Sequence, residues 1–312
     1  MKDETLRKTI ANGAATPWVC LLSAAALWAW PDYQSQSNWI GFGVSVLLAL
    51  LLQWVCNSLQ ILRVRSWLLS GSFLILLAVV PFLRQWQWND ASLFLFLLSQ
   101  AALYCAYESD HPERAVFHAY LLLALASLIE PKLMWAGAVF LLVIPTYLRA
   151  ATARSFVSIF LALAVVAMGM AIWCFWQGDI AFCTQYYSRL LAFNLPLLTS
   201  WTIPQIVNFA FVAVLLLVSS LHFAFTCFND LIRPRMFYYI FWTMLIFFVA
   251  MFLTEPQAYT LWFRFILLEG IAFVAHYLVL GTGRTANWVL YFTIILTAML
   301  AVFNLWTPLL NF

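Results

Sequence analysis

Three ionisable residues lie inside one apolar segment of the chain, Ala258–Leu280. They are Arg264, Glu269 and His276. Charged side chains are costly at membrane depth, so they usually face the interior of a helix bundle, a partner or water. Trp262, Glu269 and His276 recur at heptad spacing, which places them on one face of a helix. The pattern predicts that this stripe faces the bundle interior and lines a proton or cation path, or a cavity for a polar substrate.

The geometry of a single helix limits what these side chains can do together. Arg264 and Glu269 are about 140° apart around the helix, so they cannot form a simple salt bridge within it. Glu269 and His276 are about 10 Å apart along the axis, so a link between them needs water or a third group. The alternative interpretation is structural: a protonated Glu269 bonds to a neighbouring helix, and His276 reaches the cytoplasmic interface. The sequence leaves both interpretations open.

A second set of ionisable residues falls in the short external connections between apolar segments. Each connection holds one carboxylate, and three of these acids adjoin proline, so turn chemistry explains much of the pattern. The fold could also gather several of them with basic residues around one opening, where cations suit a phosphate or pyrophosphate and a carboxylate could act as general base. The acids are Asp32, Asp90, Glu130, Asp179 and Glu255, and the basic residues are Lys132, Arg189 and Arg264.

Two groups of candidate site residues follow from these patterns. Asp32 and Glu130 are the candidate catalytic residues. The candidate substrate-binding residues are Lys132, Arg189, Arg264, Glu269 and His276.

The six cysteines are spread singly along the chain, without the spacing or the histidine neighbours of a metal site. We therefore predict no metal site and no cofactor. Cys174 and Cys183 are the two expected near the external face, where a disulfide could join them. Free thiols are the alternative, because unpaired cysteine is common in apolar cores.

The composition indicates an integral membrane protein. Of 312 residues, 65% are hydrophobic and 9% are charged, whereas about 25% are charged in an ordinary soluble domain. A bilayer can act as solvent for so much apolar surface, and water cannot. The lipid bilayer is thus the predicted partner. The net charge of +3 gives no indication of nucleic-acid binding, and the sequence does not identify protein partners.

The apolar segments predict an all-α bundle of eleven transmembrane helices in a single membrane domain over residues 1–312. Each span needs about 20 apolar residues, and the first and fifth segments are short enough to be half-helices or re-entrant. The predicted spans are Pro17–Trp30, Trp39–Leu59, Ser66–Leu83, Ala91–Tyr107, Ala115–Ile129, Leu133–Leu148, Ser155–Trp176, Trp201–Phe228, Met236–Thr254, Ala258–Leu280 and Ala286–Pro308.

Basic residues predict the orientation, because lysine and arginine concentrate in cytoplasmic connections. With the N-terminus in the cytoplasm, eleven basic residues fall in cytoplasmic segments. Three fall outside, Arg84, Lys132 and Arg189, and Arg264 is embedded. Phe312 is then external. The first segment has features of a signal peptide, but we expect it to stay as an uncleaved helix. Short loops favour a bacterial inner membrane.

The one sizeable connection, Gln177–Ser200, is predicted to be external and to contain a helix lying in the membrane interface. Its polar and apolar side chains separate onto opposite helical faces, which is typical of interfacial helices. It is either a connector resting on the headgroups or a lid over an external cavity. The polar face holds Thr184, Gln185, Ser188 and Arg189, and the apolar face holds Cys183, Tyr186, Tyr187, Leu190 and Leu191.

The segment Ser92–Trp176 carries a resemblance to known proteins. A long helix, the acidic turn Tyr107–Arg114, a short helix, the triplet Glu130-Pro131-Lys132 and two further helices follow in order. This segment resembles an uncharacterised family of polytopic bacterial inner-membrane proteins of similar length, which implies no activity. A more distant likeness is to membrane glycosyltransferases that use polyprenyl-phosphate sugars. It implies a catalytic acid in the first external loop, where Asp32 is the candidate.

Three hypotheses for function remain. The first is an enzyme that handles lipid-linked sugars in envelope glycoconjugate assembly, with external acids and bases around a lipid-accessible cavity. The second is a secondary transporter with an acidic site at the membrane midplane. The third is a non-catalytic subunit of an envelope assembly or secretion complex.

Overall fold

The computed structural model describes residues 13, 15–30, 36–178, 181–193, 201–255, 258–281 and 283–306. Within these ranges the chain is all-α, with twelve α-helices and no strand, which confirms the predicted class. The helices are α1 Thr16–Ala29, α2 Gln36–Ser58, α3 Leu68–Val79, α4 Ala91–Tyr104, α5 Pro112–Ile129, α6 Ala136–Thr146, α7 Ala153–Gln177, α8 Ala181–Leu191, α9 Ile203–Thr226, α10 Ile232–Thr254, α11 Tyr259–Leu280 and α12 Gly283–Trp306.

Seven of the described helices are long and apolar enough to cross a membrane, namely α2, α5, α7, α9, α10, α11 and α12. Three shorter apolar segments accompany them, Thr16–Ala29, Leu68–Val79 and Pro131–Thr146. A helix rises about 1.5 Å per residue, so the shorter ones cover less than the roughly 30 Å of a hydrocarbon core. Each predicted span contains a helix, but several helices are shorter than the apolar segment around them.

Local sequence explains where the longest helices begin and end. At the start of α7, Thr152 Oγ1 accepts a hydrogen bond from the backbone N–H of Ser155 at 3.1 Å. The helix ends at Gly178, whose φ of 66° lies in the left-handed region that glycine adopts without strain. Helix α9 begins with a capping box, in which the Thr202 N–H donates to Gln205 Oε1 at 2.9 Å.

The described residues belong to two compact units. The first comprises residues from Met1–Trp86, Pro196–Tyr238 and Trp262–Phe312. In it, α3 packs against α1, α2 and α12. Helix α1 contacts α3 closely at Gly71, where a Cβ atom would lie 2.7 Å from the Sγ atom of Cys20. Any side chain at this position would require the Cys20 side chain to shift.

Two asparagines join α9 to α12 inside the first unit. The Nδ2 atom of each donates to the Oδ1 atom of the other, at 2.9 Å from Asn208 and 2.8 Å from Asn304. Asn304 Nδ2 also donates to the Val79 carbonyl of α3 at 3.0 Å, and Asn208 Nδ2 to the Pro204 carbonyl at 2.7 Å. Both asparagines are buried, so these bonds satisfy amides that have lost contact with solvent.

The connector after α3 is held by its own arginine. Arg84 is buried, and its guanidinium donates to the carbonyls of Ala78 at 2.8 Å and Trp30 at 2.6 Å. Burial lowers the pKa of Arg84 to about 10, so it stays protonated at neutral pH. A Cβ atom at Gly41 would collide with the Arg84 carbonyl, so α2 also lies tightly against this connector.

The second unit comprises residues from Gln87–Leu195 and Tyr239–Leu261. In it, α5 packs against both α4 and α7. Hydroxyl groups connect its helices: Ser99 Oγ donates to the Ala119 carbonyl at 2.7 Å, and Tyr120 OH donates to the Gly137 carbonyl at 2.7 Å. The first bond joins α4 to the middle of α5, and the second joins the middle of α5 to the start of α6.

Helix α8 confirms the helix predicted within Gln177–Ser200, although Asp179, Ile180 and residues 194–200 lie outside the described residues. None of its residues is fully buried. Cys183, Tyr186 and Leu190 are half-buried, and all three belong to the predicted apolar face. The Sγ atoms of Cys183 and of Cys174, in α7, lie 2.7 Å apart.

We predict that substitutions of the two asparagines have non-additive effects on stability. Asn304→Leu should cost about 1–3 kcal/mol, because it leaves the buried Asn208 amide without a side-chain partner. Asn208→Leu together with Asn304→Leu should cost less than the sum of the two single changes. Thermal melts in detergent measure both effects. Strictly additive losses would show that the two amides are not coupled.

We also predict that the two thiols beside α8 form a disulfide when an oxidant is supplied. A small-molecule disulfide such as oxidised glutathione takes one electron and one proton from each thiol and leaves as two reduced thiols. Maleimide labelling and peptide mass spectrometry should then find Cys174 joined to Cys183, while the exposed Cys105 carries either maleimide or a single glutathione. In Cys174→Ser protein, Cys183 should become reactive. Full labelling of both cysteines after oxidation would refute the pairing.

Candidate functional site

Four charged residues come together in the second unit, and we call them the acid–base cluster: Glu130, Lys132, Arg189 and Glu255. Glu130 and Lys132 flank Pro131, where α5 ends and the short 3-10 helix Pro131–Trp135 begins. Proline cannot continue the preceding helix, so it fixes this sharp turn. Glu255 directly follows α10, and Arg189 belongs to α8. Three of the four were predicted site residues, and Glu255 was among the acids considered with them.

An ion pair forms the base of the acid–base cluster. Lys132 Nζ lies 2.5 Å from Glu255 Oε1, and the two side chains are 5% and 21% exposed. The same Nζ atom lies 5.6 Å from the centre of the Phe193 ring, a cation–π distance. Burial of an ammonium group is costly unless a carboxylate or another acceptor compensates for the lost water. Glu255 supplies that compensation.

Glu130, the second carboxylate of the cluster, has a pKa that lies close to neutral pH. The pKa of Glu130 is raised from 4.5 to about 6, chiefly because its carboxyl is buried and next because Glu255 carries a negative charge nearby. A hydrogen bond from the Lys132 backbone and the charges of Lys132 and Arg189 oppose this rise. A base works best when its pKa lies near the working pH. Glu130 therefore has the protonation behaviour of a general base.

Helix α8 is held beside the acid–base cluster by side chains of the second unit. Trp135 Nε1 donates to the Leu190 carbonyl at 3.1 Å, and Tyr186 OH lies 3.0 Å from Ser127 Oγ. The Trp135 ring also contacts Phe193, with ring centres 5.8 Å apart. These contacts keep Arg189 within electrostatic range of Glu130. Two cations, a base and aromatic faces are a set that suits a phosphate group with a bulky substituent.

The predicted stripe on α11 is buried, as expected. Trp262 and Glu269 are fully buried and His276 is 2% exposed. Burial does not single out the stripe, however, because 89% of the residues in the apolar window of α11 are buried, against 22–44% in the other long helices. Glu269 lies close enough to the Cys56 thiol of α2 to interact with it electrostatically. The helix is thus a central element with polar residues on several faces.

Arg264 is engaged with the protein backbone. Its guanidinium donates to the carbonyls of Leu83 at 2.8 Å and Gln85 at 2.6 Å, in the connector that follows α3. Arg264 belongs to the first unit, whereas the acid–base cluster belongs to the second. These bonds assign a structural anchor to Arg264. Its predicted role in substrate binding has no support from these contacts.

His276 forms a polar network with residues that the sequence did not single out. Its Nε2 atom lies 2.8 Å from Asp230 Oδ2, and Arg63 Nε lies 3.0 Å from Asp230 Oδ1. Asp230 is 6% exposed, so two basic partners compensate one buried carboxylate. The available signal was an acid in a connector whose other charges, Arg233 and Arg235, are basic.

One of the remaining predicted acids serves a turn. Asp90 Oδ2 accepts a hydrogen bond from the Gln87 N–H at 2.7 Å, in a capping box that starts the short helix before α4. Turn chemistry explains this acid, as one interpretation predicted. The candidate catalytic residue Asp32 and the external acid Asp179 lie outside the described residues.

Comparison of the chain with protein-family models, with characterised proteins and with solved structures gives no match. Within the described ranges, no group of three or more His, Cys, Asp and Glu side chains is arranged to hold a metal ion.

We predict that the neighbours of Glu130 set its pKa in opposite directions. Glu255→Gln should lower the pKa of Glu130 below about 6, because it removes a nearby negative charge and releases Lys132. Lys132→Met should raise that pKa. The rate at which a water-soluble carbodiimide modifies Glu130, followed by peptide mass spectrometry across pH, reports both changes. Glu255→Asp, which keeps the charge, is the control, and an unchanged profile in Glu255→Gln would contradict this account.

Proposed function

We propose that the chain is a multi-pass protein of a bacterial inner membrane that handles lipid-linked sugars in envelope glycoconjugate assembly, with chemistry at the acid–base cluster. The observation that carries the proposal is the position of Glu130, a buried carboxyl next to Glu255 and within range of the charges of Lys132 and Arg189, which together give it a pKa of about 6. The cations bind the phosphate of a polyprenyl-phosphate sugar, and Glu130 takes the proton from an acceptor hydroxyl that attacks the anomeric carbon of the sugar. The bond between that carbon and the phosphate oxygen breaks, and polyprenyl phosphate leaves with its charge held by the cations.

A specific membrane arrangement is part of the proposal. All eleven predicted segments cross or enter the bilayer, with the N-terminus in the cytoplasm and Phe312 outside. The separation of basic residues between the two sides supports this orientation, and the seven long apolar helices support the crossing. Pro131 and α8 then lie at the external surface, where a lipid-linked substrate presents its headgroup.

Each residue of the cluster has a distinct role in this mechanism. Glu130 is the general base, and Arg189 and Lys132 are the phosphate-binding cations. Glu255 is a positioning residue, because it holds Lys132 at 2.5 Å. Helix α8 carries Arg189 and acts as the lid over the site. The likeness to polyprenyl-phosphate glycosyltransferases agrees with this substrate class, and Asp32 stays a second candidate acid.

The second candidate function is a secondary transporter with a midplane acidic site. The observation that favours it is Glu269, a fully buried acid on the most buried of the long helices. Embedded acids often mark ion or proton paths. The hypothesis of a non-catalytic subunit would leave both the acid–base cluster and Glu269 with structural roles.

We predict that substitutions in the cluster separate binding from turnover. In lipid nanodiscs supplied with a labelled polyprenyl-phosphate hexose, Arg189→Gln should weaken binding about tenfold, or about 1.4 kcal/mol. Glu130→Gln should keep the binding affinity but slow release or transfer of the sugar by at least about a hundredfold, the usual contribution of a general base. Binding is measured by native mass spectrometry, and turnover by the label.

A matched control and a competing result make this test decisive. Arg154→Gln changes an exposed arginine at the start of α7 and should leave both measurements unchanged. If Glu269→Gln instead abolishes proton-coupled solute uptake into vesicles, while Glu130→Gln and Arg189→Gln have no effect, the transporter replaces the enzyme. If none of these changes alters either activity, the subunit hypothesis gains support.

A further inference from the structure

The first unit contains a cavity of about 660 Å³ that the proposed function does not use. It lies between the connector that follows α2 and the connector between α9 and α10. Its polar lining consists of two arginines and three amides, and three apolar residues complete the wall. We call it the basic cavity. Its polar residues are Asn57, Gln60, Arg63, Arg65 and Asn229.

The charge balance of the basic cavity favours an anion. Both ionisable residues on its wall are arginines, and both side chains are exposed rather than sealed in the core. The nearest acid in the network, Asp230, is 6% exposed, and its two oxygens face Arg63 Nε at 3.0 Å and His276 Nε2 at 2.8 Å. Arg63 therefore compensates this carboxylate through its Nε atom, and the two arginines of the wall still exceed the single acid in charge.

Hydrogen bonds behind the wall also orient donors toward the cavity. Gln53 Nε2 donates to Asn57 Oδ1 at 3.1 Å and to the Ser66 carbonyl at 3.1 Å. Because the amide oxygen of Asn57 is engaged, its NH2 group is the part that can serve a ligand in the cavity. Only one of the five N–H donors of Arg63, at Nε, is used on Asp230. The bonds to Gln53 and Asp230 therefore hold in place the donor groups of Asn57 and Arg63 that line the cavity.

The backbone at the end of α2 fixes the position of this wall. Gln60 adopts a left-handed φ of 54°, and the Ile61 N–H donates to the Cys56 carbonyl at 3.0 Å, which closes the helix end. The turn brings Gln60 and the following Arg63 and Arg65 to the cavity. A non-glycine residue in this conformation persists where the surrounding contacts hold it.

We propose that the basic cavity binds the phosphate-bearing headgroup of an anionic lipid. Guanidinium groups match phosphate oxygens in geometry and charge, and basic pockets between helices at the cytoplasmic side of membrane proteins bind such headgroups. Both connectors are predicted to be cytoplasmic, where anionic lipids are available. A volume of about 660 Å³ exceeds the needs of a free phosphate ion and falls in the range of small-molecule sites.

The test compares lipids and variants in purified full-length protein. Native mass spectrometry in detergent should show phosphatidylglycerol binding that is at least tenfold tighter than phosphatidylcholine binding. Arg65→Gln should weaken phosphatidylglycerol binding about tenfold. Because Arg65 is exposed, this change should leave the stability of the protein to detergent and to heat unchanged. The matched control, Arg154→Gln, changes another exposed arginine outside the cavity and should have no effect.

Further arms separate the sources of phosphate. Glycerol phosphate should compete with phosphatidylglycerol only at much higher concentration, and inorganic phosphate should compete more weakly still. Equal affinity for inorganic phosphate and phosphatidylglycerol would overturn the lipid assignment, as would equal binding of phosphatidylcholine. If Arg65→Gln and Arg154→Gln weaken binding equally, the lipid is held by general surface charge and the site is refuted. Asn57→Leu, with its melting temperature measured alongside, provides a second, uncharged test of the same wall.

Discussion

Buried polar groups that must find partners hold this apolar chain in one arrangement. Hydrophobic contact alone specifies little between helices that are apolar on most faces, whereas an amide or a guanidinium away from water is costly unless hydrogen-bonded. Asn208 and Asn304 meet this need with each other, which fixes the register of α9 on α12. Arg264 meets it with the carbonyls that follow α3. Each pairing selects one packing among many that similar apolar surfaces would allow.

The same constraint produces chemistry in the second unit. Lys132 is buried and charged, so it needs Glu255, and the presence of Glu255 in turn raises the pKa of Glu130. The positive charges of Arg189 and Lys132 oppose that rise, and the resulting pKa of Glu130 is about 6. A structural requirement for one compensated lysine thus creates a second carboxyl that can exchange a proton. The Lys132–Glu255 ion pair and the raised pKa of Glu130 are two results of one electrostatic arrangement.

Hydrophobic periodicity and proline residues predicted the helices and turns, but they did not predict most of the side-chain contacts between them. The apolar runs located the helices, Pro131 located the turn of the acid–base cluster, and the separated faces of α8 located an exposed helix. The contacts of Arg264 could not be read this way, because Leu83 and Gln85 lie some 180 residues earlier and helical spacing identifies only a face. Asp230 was missed for the same reason, since its partners His276 and Arg63 come from separate segments.

The burial of α11 bears on the order in which the protein is made. A span with Arg264 and Glu269 enters lipid poorly alone, since each charge costs about 2.5–3.5 kcal/mol at the centre of an inserting helix. The carbonyls that receive Arg264 belong to a connector synthesised long before α11, so they are already in place when this helix leaves the ribosome. In a membrane, α11 therefore inserts after the earlier helices have begun to assemble. Its insertion depends on that assembly, because the earlier residues supply the partners of its charged side chains.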